Sequence, residues 1–228
     1  MKVEIFPDEA SLAKRAAAVM AEEARAAVAA RGRFVMAVSG GKSPWVMLAD
    51  LANEDVPWPN VHVFQIDERI APEGDPDRNY THLRASLLEH APIPERQIYA
   101  MPVTMPDSEA AARQYAQTLE GIAGKPPVLD LAHLGLGPDG HTASLIPGDP
   151  VLNVTDRDIA ITGVYQGRNR MTMTYPVINR ARKIMWLVSG KDKVSAFPKL
   201  RAADPSIPAG RISQTQAVLL ADRDAAGE

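Results

Sequence analysis

Three glycines within six residues, Gly135, Gly137 and Gly140, surround the carboxylate of Asp139 and lead to the imidazole of His141. Glycine lets a backbone pass close to a ligand with no side chain in the way. The turn follows an apolar run over residues 128–134, which predicts a buried strand ending in a glycine-rich loop. A histidine at the carboxyl end of such a strand, in an open α/β sheet, faces the ligand crevice and can move protons. A carboxylate would orient the imidazole, and both Asp139 and Asp67 qualify. Alone, the stretch would more often be a tight turn with a solvent-facing histidine. Partner motifs elsewhere in the chain favour the chemical reading.

The first partner is Ser39-Gly40-Gly41-Lys42-Ser43-Pro44. Ser43 suits a helix N-cap, with Pro44 as the first helical residue. A glycine turn at a helix amino terminus offers free N–H groups and a positive dipole end, which suits a phosphate. The stretch is not a nucleotide P-loop, because position 36 holds Met where that motif needs glycine. The second partner is Asp67-Glu68-Arg69, three charges in a loop directly after the apolar strand over residues 61–66. The third pair is Arg170, which opens a strand, and Lys193, just beyond Gly190. Together they predict an anion pocket beside a general base, with Arg giving a planar fork and Lys a point charge.

Strands and helices must alternate to bring these residues together. Apolar runs predict strands over residues 3–6, 33–38, 61–66, 97–99, 128–134, 159–162, 183–188 and 217–220. The alternation over 170–174 predicts a half-exposed strand. Helices are expected from Pro7-Asp8 to about residue 30, ended by Gly32, and over 45–51, 78–89 and 107–122, with a short turn over 176–180. A further helix follows Lys193, and the polar residues after 220 should fray. The pattern predicts a doubly wound, mostly parallel, Rossmann-like α/β sheet with a small antiparallel portion.

Composition narrows the functional classes. The chain has 228 residues, a net charge of -3 and no cysteine. No broad basic surface for nucleic acid is indicated. Disulfides, thiolate metal sites and cysteine nucleophiles are excluded, which fits a reducing compartment. The five histidines show no metal-ligand spacing, so no metal is expected. No apolar run reaches membrane-spanning length and no signal-peptide core stands at the start, so a cytoplasmic location is expected. The sequons at Asn79 and Asn153 read as chance matches.

In five segments, in order, the chain resembles the 6-phosphogluconolactonase family, whose fold is similar to that of the glucosamine-6-phosphate deaminases. These are residues 39–44, 67–69, 135–148, 170–179 and 190–193. The most specific is Gly137-Pro138-Asp139-Gly140-His141-Thr142-Ala143-Ser144-Leu145. The resemblance implies one lactonase domain over residues 1–228, as a monomer or small homo-oligomer. It implies hydrolysis of 6-phosphoglucono-1,5-lactone in the oxidative pentose phosphate pathway, without metal or organic cofactor. It makes His141 the base, with Asp139 and Asp67 beside it. It makes Arg69, Arg170 and Lys193 substrate-binding cations, with Ser39, Gly40, Gly41, Ser43 and Gly140 lining the phosphate and turn. The family often has Ser-Asn where Arg78-Asn79 stands, so Arg78 could add a cation near the pocket. Glucosamine-6-phosphate deaminases typically have Tyr at the position of Arg69 and an acidic residue where residues 144–148 here have none. That argues against ring-opening amine chemistry. Gly135-Leu136-Gly137-Pro138-Asp139-Gly140 also fits a dinucleotide fingerprint, but Asp139 would repel a pyrophosphate and Pro147 comes too early for the required helix. A sugar-phosphate-binding module without turnover is the non-enzymatic alternative.

Overall fold

The structure is a computed structural model and describes residues 1–228. Chain order begins β1 (Lys2–Phe6), α1 (Glu9–Arg31), β2 (Phe34–Val38), α2 (Lys42–Leu51), β3 (Val61–Gln65), β4 (Asp67–Arg69), α3 (Asn79–Leu83) and β5 (Ile98–Tyr99). It continues α4 (Ser108–Ala123), β6 (Leu131–Leu134), β7 (Ile159–Ile161), β8 (Arg170–Met173), α5 (Tyr175–Arg180) and β9 (Lys183–Val188). It closes with α6 (Phe197–Arg201), β10 (Ala217–Asp222) and α7 (Arg223–Ala226). Seven strands form one sheet in the order β1-β10-β9-β6-β2-β3-β5, and every neighbouring pair is parallel.

Both faces of this sheet are covered. Leu12, Ala16, Met20, Met47 and Leu48 from α1 and α2 pack on one face, against Met36, Leu131 and Met185. Tyr115, Leu119, Val177, Phe197 and Ala225 pack on the other, against Ala132, Leu134 and Trp186. Double coverage explains why β2 is a continuous apolar run with every residue buried. The small side chains of Ala13, Ala16, Ala17 and Ala24 are buried along α1. Asp8 caps that helix by accepting from Ser11 N at 2.7 Å, and Gly32, at φ 72°, ends it.

The strand order reverses between β2 and β6. From β2 the chain builds outward through β3 and β5, and from β6 it builds the other way through β9 and β10. In an open parallel sheet this reversal leaves a crevice beyond the carboxyl ends of the two strands.

A second sheet, β4-β8-β7, is antiparallel. Ile66 is its joint with the first. Its N–H donates to Val38 O at 3.0 Å in β2, and its C=O accepts from Met173 N at 2.8 Å.

Five expectations are corrected. Asp67-Glu68-Arg69 is strand β4 and not a loop, with Asp67 and Glu68 buried. The strand over 170–174 is buried at every position, because β8 lies between β4 and β7 and drives Met171 and Met173 into the core. Ser43 is not an N-cap: the helix starts at Lys42 after Gly41, and the Ser43 hydroxyl donates to Glu9 Oε1 at 2.5 Å. The tail is not frayed, because Asp222 caps α7 by accepting from Ala225 N at 2.7 Å and Ala225 is buried. The single helix expected over 78–89 is a short α-helix continued by a π-helical turn, Arg84–Leu88.

Candidate active site

The turn after β6 is closed by its own backbone. Gly137 N donates to His141 O at 2.8 Å, and Gly140 N to Gly137 O at 3.0 Å. A Cβ on Gly137 would overlap the His141 imidazole, so only glycine leaves room for the ring. Gly140, at φ 85°, abuts Ile207 and accepts from Ala209 N at 3.0 Å, which ties the turn to the following chain.

Asp139, not Asp67, is the carboxylate bonded to the imidazole. Its Oδ1 lies 2.6 Å from His141 Nδ1 and accepts from His141 N at 3.1 Å. A carboxylate only accepts, so Nδ1 carries a proton, and in the neutral ring Nε2 is left with a lone pair. The other oxygen, Oδ2, accepts from the Tyr165 hydroxyl at 3.2 Å. Partial burial pushes the Asp139 carboxyl up. The His141 N–H, the His141 ring and the Tyr165 hydroxyl outweigh that and hold it below its ordinary value.

Asp67 is anchored elsewhere. Its Oδ2 accepts from Ser144 Oγ at 2.6 Å, and its Oδ1 from Asn79 Nδ2 at 3.4 Å. The neighbouring Glu68 is fully buried and knots the crossing together. It accepts from Gln65 Nε2, Arg69 N, Asn79 N and Tyr80 N at 2.7–2.9 Å. Arg78 points at Glu68, 3.6 Å away, and adds no cation to the cavity lining.

Arg69 and Arg170 are direct partners across β4 and β8. Like charges placed opposite each other in a sheet repel unless an anion lies between them. Arg69 bonds the Asn79 side chain, and Arg170 Nη2 donates to Gln166 Oε1 at 3.1 Å. Arg170 is buried, its Nε has no partner, and burial followed by the nearby Arg69 charge pulls its pKa down. A buried guanidinium with an unused donor is a ready-made anion contact.

The loop after β2 completes the opposite wall. Ser39 N donates to His133 Nδ1 at 3.3 Å, and Ser39 Oγ to His133 O at 2.9 Å, so β6 holds the start of this loop. His133 is fully buried, and desolvation pushes its pKa down to about 3. Gly40 lies against Asn79 and Trp45 with no space for a side chain. Gly41, at φ 138°, then turns the chain into α2. After β9, Gly190 N and the Ser189 hydroxyl both donate to the Asp222 carboxylate. This presents Lys193, whose Nζ lies 2.6 Å from Asp192 Oδ2.

These strand ends surround one cavity of about 570 Å³. Ser39, Gly40, Gly41, Ser43, Asp67, Arg69, His141, Arg170 and Lys193 line it. Asp139 stands behind His141, and Gly140 shapes the turn. The crevice at the strand reversal therefore collects the site residues expected from sequence. Sequence reading missed Glu9, Asn79, Gln166 and Asp192, which also line the cavity, and Tyr165, which backs Asp139. Glu9 was hidden in the first turn of a helix that carries no other chemistry. Gln166-Gly167 is a turn-like pair that could have flagged the hairpin carrying Tyr165. No cluster of three or more His, Asp or Glu side chains is arranged to hold a metal ion.

Known proteins share both sequence and shape with this chain. Residues 7–221 match the family described as glucosamine-6-phosphate isomerases/6-phosphogluconolactonase. A 6-phosphogluconolactonase of Synechocystis sp. is 38% identical over 96% of this chain and 93% of its own length. One of Mycobacterium tuberculosis is 38% identical over 99% of this chain and 97% of its own. The crystal structure of a Thermotoga maritima 6-phosphogluconolactonase superposes with a TM-score of 0.86 at 22% identity, over 97% of this chain and 98% of that one. A monomeric glucosamine-6-phosphate deaminase superposes with a TM-score of 0.87 at 20% identity, over 100% and 99%. At those identities the two structures bear on the fold alone. The sequence match over nearly the whole length places the chain in the glucosamine-6-phosphate isomerase/6-phosphogluconolactonase family.

Proposed function

We propose that the protein hydrolyses 6-phospho-D-glucono-1,5-lactone to 6-phospho-D-gluconate, the second step of the oxidative pentose phosphate pathway. The observation that carries this reading is the Asp139–His141 pair at 2.6 Å, on the wall of a cavity that also exposes Arg69, Arg170 and Lys193. It joins a proton acceptor to an anion grip, as a phosphorylated ester requires. Relatives at 38% identity bear the name 6-phosphogluconolactonase. The deaminase alternative is disfavoured by Arg69 and by the non-acidic residues 144–148.

In this reading His141 Nε2 takes a proton from a water aimed at the lactone carbonyl carbon. The C–O bond that forms leaves a tetrahedral oxyanion, stabilised by Arg69, because the Gly137 and Gly140 N–H groups are spent inside the turn. Collapse breaks the bond to the ring oxygen, and the imidazolium returns its proton there. Asp139 holds the ring throughout and offsets its charge. Arg170, Lys193 and the Ser39–Ser43 loop, set at the amino end of α2, bind the 6-phosphate. Asp67 fixes the crossing that carries Arg69. We further read residues 1–228 as one catalytic domain. It acts in the cytoplasm on a small molecule, as a monomer or small homo-oligomer, without nucleic acid. No helix is long and apolar enough to cross a membrane.

The test is the hydrolysis rate of freshly made 6-phosphogluconolactone, corrected for spontaneous opening. A rate indistinguishable from spontaneous opening, with 6-phosphogluconate still bound, would make the protein a binding module.

A further inference from the structure

The hairpin between β7 and β8 reaches over the site from the small sheet. Its tip is a two-residue turn: Tyr165 and Arg168 exchange N–H···O bonds of 2.9 and 3.3 Å, with Gln166 at φ 51° and Gly167 at φ 81° between them. Positive φ at both central residues is what a tight hairpin of this twist needs. Arg168 pins the tip to the loop before α3, with its Nη2 3.0 Å from Asp75 Oδ2 and 3.2 Å from Asp77 Oδ2. Burial of the tip does not account for its placement, since Val164 is 71% exposed.

Tyr165 touches both halves of the site from this tip. Its hydroxyl donates to Asp139 Oδ2 at 3.2 Å, and its ring meets the His141 ring edge to face at 5.6 Å and 66°. The Arg170 guanidinium lies 5.0 Å over the same ring, and the adjacent Gln166 accepts from Arg170 Nη2 at 3.1 Å. Asp139 spends Oδ1 on His141, and the Tyr165 hydroxyl is the partner of Oδ2. That second bond stops the carboxylate from rotating, and a fixed carboxylate fixes the imidazole. The ring face offers the Arg170 cation an electron-rich surface, which offsets repulsion from its neighbour Arg69.

We propose that Tyr165 is a positioning residue that couples the anion-gripping Arg170 to the Asp139–His141 pair. This rests on the reading of His141 as base and Arg170 as phosphate ligand. One rigid ring then serves both tasks. An anion that draws on Arg170 acts on a ring whose far end is tied to Asp139. Alignment of the base and occupation of the phosphate site thereby become one event, which favours phosphorylated over plain lactones.

Two variants separate the hydroxyl from the ring. Tyr165→Phe keeps the ring under Arg170 and loses the bond to Asp139. It should lower kcat by roughly 10- to 100-fold and leave KM for 6-phosphogluconolactone unchanged. Tyr165→Leu loses both contacts, and should lower kcat similarly while raising KM severalfold. Thermal midpoints within about 2 °C of the parent exclude a general loss of stability. An independent readout needs no turnover. In ¹⁵N-histidine NMR spectra, inorganic phosphate should shift the His141 ring signals, identified by their absence in His141→Ala. Tyr165→Phe should abolish that response. Unchanged kcat in Tyr165→Phe, or a phosphate response that survives in it, would overturn the coupling. If Tyr165→Leu does not fold, the Phe variant decides by both measures. Parent protein without lactone hydrolysis would instead defeat the proposed reaction, and the NMR titration would still decide the coupling.

Discussion

At the scale of single residues, the site depends on a few atoms with no substitute. His141→Ala should lower the catalysed rate at least about 100-fold while 6-phosphogluconate affinity changes little, read by steady-state kinetics and product titration. Near-normal turnover would remove His141 as base. Gly137→Ala places a methyl group where the imidazole stands. It should cost at least about tenfold in kcat by displacing the ring, with the fold intact by circular dichroism. The cations make a different prediction. Losing one partner of a desolvated charged contact costs about 2–5 kcal/mol, more than tenfold in affinity, whereas a solvated surface charge is worth about 0–1 kcal/mol. Lys193→Ala and Arg170→Ala should each raise KM for the phosphorylated lactone more than tenfold. Slow turnover of unphosphorylated gluconolactone should barely move. Equal losses on both substrates would take the phosphate away from these side chains.

At the scale of elements, the legible features were those with a local cause. Asp8 and Gly32 bracket α1 because capping is decided within a turn of chain. The apolar runs of β2 and β9 stand out because both faces of a central parallel strand are covered. The glycine turn after β6 is visible because its conformation excludes side chains. Illegible features were settled at long range. Asp67-Glu68-Arg69 reads as loop from its charge, yet it pairs with Thr172, Met171 and Arg170 about a hundred residues away. Glu68 can be buried there because four donors converge on it. The alternation in β8 is real, but its polar residues are buried too: Arg170 lines the cavity, Thr172 accepts from Ser144 N, and Thr174, just past the strand, donates to Arg157 O. Ser43 looks like a cap until α1 brings Glu9 beside it. Tyr165 falls between two short strands, where nothing local marks it as a partner of Asp139.

At the scale of the whole molecule, one buried group links stability to acidity. His133 has a pKa near 3 in the folded protein, against an ordinary value of 6.5. Between those values the unfolded chain binds a proton that the folded chain refuses. Its contribution is therefore complete above about pH 6.5 and falls as the pH drops toward 3, by about 1.4 kcal/mol per unit. Urea midpoints of the parent should decline across that window more steeply than those of His133→Gln. Parallel curves would mean that His133 is protonated in the fold. The pairing of β1 with β10 has a consequence of another kind. Strand β1 finds its neighbour only when residues 217–222 have emerged from the ribosome. The same late segment supplies Asp222, which holds the loop that presents Lys193. During synthesis, then, the nascent chain carries an edge that waits for its mate and a cavity wall whose Lys193 loop lacks its anchor. Catalytic competence should arrive as a single late step, once residues 217–222 are free of the ribosome, and not build up piece by piece.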